Sequence, residues 1–219
     1  MAYQPVELGR GVPALVERVI RKTIEPILND VHCALRLPMR RPNLPAGFNF
    51  TIGHTLLALV AGVSATFYRR GLTDGKAFTG LLVEFYPWAL EPNRPVDKQQ
   101  SAKILWETFR NPFTHSLGMP FEKQNRGSRE LKPRDFVVKV GRDKNGMKER
   151  EVVALERSIV RPDLNPTLVV TPQKRVLLVE PLYWGVRQML FQLTQDPVIM
   201  RNVEEYFSRA IAKHQNRPV

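Results

Sequence analysis

The chain has 219 residues, of which 43% are hydrophobic and 25% charged, and a formal charge of +12. That length and apolar content suit one buried core and exclude a generic disordered tail, while the basic excess favours polyanionic partners such as RNA, DNA or an acidic surface. The single cysteine, Cys33, excludes an internal disulfide framework and a cysteine-rich metal centre, and it points to a reducing cytoplasm.

In chain order, the opening MAYQPVELGRG has no basic stretch followed by an apolar core, so no secretory signal is expected. Leu15, Val19, Ile20, Ile24, Ile27, Leu28, Val31 and Leu35 then recur at helical spacing, with Pro13 suited to a first turn. Pro26 lies inside this stripe and predicts a kink or a split. PMRRPNLPAG reads as a proline-rich basic loop. The next helix, TIGHTLLALVAGVSATFY, is apolar on every side. Its unbroken apolar part, Leu56 to Val63, is shorter than the roughly 20 residues a bilayer requires, so a central core helix is expected and no membrane partner. Tyr68-Arg69-Arg70-Gly71 supplies cations and a glycine stop. A third helix starts with Thr73 or Asp74 as its cap and runs to about Tyr86. After the loop EPNRPV, Asp97 caps KQQSAKILWETFR, with Ile104, Leu105 and Phe109 on one side.

Beyond residue 120 the texture changes. EKQNRGSRELKPR reads as a polar, mobile loop. DFVVKVGRDKNGMKEREVVALE reads as two strands about Asn145-Gly146, a pair that supplies the positive φ angles of a tight turn. TLVVTPQKRVLLVE predicts a second, shorter hairpin. PLYWGVRQMLFQLTQ and DPVIMRNVEEYFSRAIAKHQ return to helical periodicity, with Pro181 and Pro197 in first turns. The expected fold is mainly α: a single domain over 1–219, a helical bundle with a small basic β-hairpin insertion at 134–179 before the C-terminal helices.

The chemistry is narrow. There is no P-loop, no dinucleotide glycine pattern, no histidine pair at ligand spacing and no carboxylate cluster, so neither a cofactor nor a metal is expected. His54 reads as structural, Cys33 beside His32 as core, and His214 as part of a frayed tail. FRNPFTHSLG remains, with Arg110, Asn111 and His115. In an unbroken helix five residues turn about 500°, which leaves the Arg110 and His115 side chains roughly 140° apart. Pro112 removes a backbone bond and is expected to push Asn111 away from helical angles, letting His115 fold back. A histidine moves protons near neutrality, an arginine holds a phosphate and the charge that develops on it, and neither needs a metal. Asn111 can fix the local backbone or the imidazole tautomer. The plainer reading is helix punctuation: a cation in the last turn, a proline breaker and a histidine cap.

FRNPFTHSLG resembles the Arg-x(4–6)-His motif of the HEPN superfamily, in the form with Asn directly after Arg and three residues before His. The likeness is specific over about ten residues and extends loosely to the helical pattern of residues 13–118; the insertion is not part of the minimal bundle. The resemblance implies an HEPN-like helical bundle and, for many members, a metal-independent endoribonuclease of toxin–antitoxin, CRISPR, antiviral-defence or RNA-processing systems. It implies a homodimer whose two motifs line one cleft, with RNA and an antitoxin or other regulatory protein as partners. Carried onto this chain, a ribose 2′-OH attacks its neighbouring phosphate while His115 moves a proton, Arg110 holds the phosphate and Asn111 shapes the motif. Other members are non-catalytic modules that bind nucleic acid or a protein, and that is the alternative expectation. Lys139, Arg142, Lys144, Lys148 and Arg150 of the first hairpin read foremost as a solvated surface, with Glu149 and Glu151 among them, and next as a strip that tracks a nucleic-acid backbone.

Overall fold

The computed structural model describes residues 3–36, 49–68, 71–91, 96–111, 136–139, 166–170 and 175–215. The first apolar stripe becomes one continuous rod: α1 (Ala14–Val19), a π-helical turn (Ile20–Ile24) and α2 (Glu25–Arg36). Pro26 neither breaks nor visibly splits it. The Glu25 amide bonds five residues back, to the Ile20 carbonyl, so the helix widens just ahead of the ring. Proline lacks the N–H that would continue the ladder and crowds the carbonyl it faces, and the wider turn accommodates both. The stripe is kept: Val16, Ile20, Ile24, Leu28, Val31 and Leu35 are all buried.

The centre is α3 (Asn49–Phe67). Ile52, Leu56, Leu57, Val60, Val63 and Phe67 on it are buried. Around α3 pack α2, α4 (Asp74–Phe85), β1 (Phe136–Lys139), α6 (Val179–Thr194) and α7 (Pro197–Gln215). By length and apolarity residues Phe50–Phe67 would cross a membrane, but half of that window is buried inside the fold. It is a core helix, as its all-round apolar pattern implies. Gly71 follows at φ 81, a left-handed turn that glycine adopts without a steric penalty. Extended Thr73 then leads into α4.

α5 (Lys98–Ile104) continues into a second π-helical segment, Leu105–Arg110. The three-stranded sheet has the order β1-β3-β2, with β2 at Leu168–Val170 and β3 at Arg175–Leu178. β2 and β3 are antiparallel, with Leu168 opposite Leu177, and form the expected short hairpin. The hairpin turn about Asn145-Gly146 lies outside the described residues; β1, its expected first strand, pairs in parallel with β3, Phe136 opposite Arg175. β3 runs directly into α6. Pro197 opens α7, and Asp196 Oδ1 caps it by accepting from the Val198 and Ile199 amides at 2.9 and 3.0 Å.

The N-terminal segment is strapped across this bundle. The Val6 amide donates to Glu25 Oε1 at 2.7 Å, and Arg21 donates to the Val6 carbonyl at 2.9 Å. Arg187 Nη2 reaches the Gln4 and Pro5 carbonyls at 2.7 and 3.2 Å. The Gly9 amide donates to Thr194 Oγ1 at 2.9 Å. Two readings change. Cys33 is exposed and not core, because one helical step turns the chain by about 100° away from buried His32. His214 belongs to α7, which runs to Gln215, and not to a frayed tail.

Candidate functional site

The motif-bearing helix starts from Asp97, whose Oδ1 accepts from the Gln100 amide at 2.7 Å, the cap read from the sequence. Its inner face is Ser101, Ala102, Leu105, Thr108 and Phe109, all buried. Its outer face carries Lys103 and Glu107, which pair across one turn at 3.9 Å. Trp106 and Arg110 lie on the boundary between the two and are half-buried.

Asn111 corrects an expectation. It keeps helical angles, φ −63 and ψ −51, and its amide bonds five residues back to the Trp106 carbonyl. As with Glu25 ahead of Pro26, the residue that precedes a proline in the sequence stays helical and closes a π turn. The general bias against helical angles before proline is a preference that the wider turn relieves.

Beside Asn111 the Arg110 guanidinium lies over the Trp106 ring, 4.7 Å from its centroid. Arg110 Nη1 donates a long bond, 3.4 Å, to Asn111 Oδ1. Trp106 in turn rests on α4: its ring is 5.2 Å from that of Phe78, and a β-carbon added to Gly75 would stand 2.9 Å from its Nε1. From the sheet, Arg175 Nη1 donates to Thr108 Oγ1 at 2.7 Å and ties β3 to the motif helix. A guanidinium held in this way offers a planar fork of N–H donors suited to a phosphate.

The structure thus places Arg110 and Asn111 side by side on a half-buried face of the helix. His115 lies outside the described residues, as do Pro112, Arg142, Lys144, Lys148 and Arg150. Lys139 ends β1, opposite Leu178 of β3. Sequence reasoning missed Trp106 and Arg175. The Trp106-x-x-x-Arg110 spacing, one helical turn, was a readable signal for the first. Nothing local marked the second.

A second polar cluster is structural. Tyr183 Oη lies 3.4 Å from Nδ1 of buried His32. Arg187 lies over the rings of Tyr3, Tyr183 and Trp184, at 5.2, 5.5 and 5.5 Å. Its donors hold the N-terminal strap, and no chemistry is assigned to it. His54 stacks on Phe50 with ring centroids 6.4 Å apart and planes within 5°, in keeping with a structural role.

Comparison of the chain with protein-family models, with curated proteins and with solved structures gives no match.

Proposed function

We propose that this chain is a metal-independent endoribonuclease of the HEPN type, acting in the cytoplasm as a homodimer. The 2′-oxygen of a ribose attacks the adjacent phosphorus, and the bond from phosphorus to the 5′-oxygen breaks. The products are a cyclic phosphate and a 5′-hydroxyl. His115 takes the proton from the 2′-OH, water protonates the departing 5′-oxygen, and the His115 imidazolium gives its proton to the hydroxide so formed. Arg110 holds the phosphate and the charge that builds on it. Asn111 braces Arg110.

The observation that carries the reading is Arg110 itself: a half-buried guanidinium braced by Trp106 and Asn111. The formal charge of +12 supports a polyanionic substrate. The mechanism selects RNA over DNA, because DNA lacks the attacking hydroxyl. An exposed lone thiol such as Cys33 suits a reducing compartment. Toxin or antiphage activity, controlled by an antitoxin or other regulatory protein, is the setting in which such an enzyme would work.

The test is labelled RNA incubated in EDTA with wild type and with His115→Ala. Wild type cleaves and the variant does not; a 2′-deoxy substrate stays intact. Binding without cleavage by wild type would replace the enzyme with a non-catalytic binding module.

A further inference from the structure

We propose that Trp106 is a positioning residue for Arg110, setting where the guanidinium meets a phosphate. This rests on Arg110 being the phosphate-holding residue of the proposed ribonuclease. The two side chains are four residues apart and share one side of the helix, since four steps turn about 400°. The guanidinium carbon stands 4.7 Å from the indole centroid, within the range of a cation–π contact.

The geometry divides the work of the guanidinium. Its central carbon stands over the indole ring. Its N–H donors lie in its own plane, and a phosphate oxygen would have to meet them there. One edge atom, Nη1, is directed at Asn111 Oδ1. The indole is itself held. Gly75 lets it lie against α4 where any side chain would crowd Nε1, and Phe78 packs against its ring. The order of support runs from α4 to Trp106 to Arg110. A long, flexible cation is thereby ordered before any ligand arrives, which removes part of the entropy lost on binding. Tryptophan is the best ring for this purpose, because its face attracts a cation most strongly.

The experiment is a double-mutant cycle read by fluorescence anisotropy with a 2′-O-methyl RNA oligonucleotide, which binds but cannot undergo 2′-OH attack. Trp106→Leu and Arg110→Ala are each expected to weaken binding about five- to tenfold, and the double variant to be no weaker than Arg110→Ala alone. Trp106→Phe should recover most of the loss. Trp106→Leu should keep the wild-type salt dependence, because it removes no charge; Arg110→Ala should lower the slope by about 0.7. Gly75→Ala, which leaves both partners in place but crowds the indole, should weaken binding part of the way and keeps the idea testable if Trp106→Leu does not fold. Additive losses, or a folded Trp106→Leu that binds like wild type while Arg110→Ala does not, would overturn the positioning role and leave the RNA site standing. If Arg110→Ala binds and cleaves like wild type, the proposed site fails with it. If wild type does not bind the oligonucleotide, the ribonuclease reading fails. The stack is then judged by the Arg110 side-chain proton resonances, which ring currents of Trp106 shift in wild type; their persistence unchanged in Trp106→Leu would overturn it.

Discussion

The phenol of Tyr86 occupies the space that a side chain at Gly185 would need: a β-carbon there would stand 2.0 Å from the Tyr86 hydroxyl oxygen. The corner after α4 therefore docks on α6 through a ring laid on bare backbone. The same hydroxyl bonds Thr167 Oγ1 at the start of β2, whose amide donates to Glu91 Oε1 at 3.1 Å. Helix, corner and sheet meet at this point.

Gly185→Ala should therefore destabilise the fold, although alanine is the better helix former by about 1 kcal/mol. Displacing a buried ring is expected to cost roughly 1–3 kcal/mol net, read as a lower urea midpoint. Combined with Tyr86→Leu, the cost should fall short of the sum, because both changes act on one space. A midpoint raised by Gly185→Ala would show that Tyr86 does not pack there.

Arg187 is the clasp of the N-terminal strap. Arg187→Met keeps much of the length and apolar bulk but removes the donors to the Gln4 and Pro5 carbonyls. A loss of about 2 kcal/mol is expected, a usual figure for hydrogen bonds to a charged group. Hydrogen exchange should locate it: the Val6 amide, bonded to Glu25, should lose protection while the α3 amides keep theirs under conditions that favour local opening. Equal loss at both would mean that the strap opens only with the whole fold.

Tyr3 links this strap to pH. Burial raises the pKa of its hydroxyl above the ordinary 10.0, and the nearby Arg187 cation pulls it partly back. A raised pKa means that the fold favours the neutral phenol. Its contribution is complete below the ordinary tyrosine value and is lost as pH rises through the folded one. Wild type should thus lose stability faster than Tyr3→Phe above pH ~10, and the two curves should run parallel below about pH 9. Urea midpoints across that range check it, and a gap of constant size would refute the linkage.

Lys144 and Lys148 separate substrate tracking from catalysis. If Lys144 and Lys148 touch phosphates, each Lys→Ala change should lower the salt slope of RNA binding by about 0.7 and leave the cleavage rate of bound RNA unchanged. His115→Ala should do the reverse: unchanged slope, and a rate lower by about 10²–10⁴-fold. Lysine variants with the wild-type slope would show that these side chains touch no phosphate.

Much of this fold is written locally. The burial of the first stripe, the all-round apolar α3, the Asp97 cap, the start of α7 at Pro197 and the short β2–β3 hairpin each depend on residues a few positions apart, where periodicity and capping chemistry carry the information. Of the candidate site, the place of Arg110 and Asn111 on the helix that Asp97 caps was legible for the same reason. The helical angles of Asn111 were not, because a proline fixes its own φ and only biases its neighbour, and the π turn that resolves the conflict depends on the packing around it. Nor were the long contacts legible. Arg175 meets Thr108 across 67 positions, Arg187 meets Gln4 across 183, and Gly75 meets Trp106 from another helix. Residue spacing states which face of an element is apolar, but not which other face it will meet. That choice is made only when all the elements compete for one core, and here it decides what holds Arg110 in place.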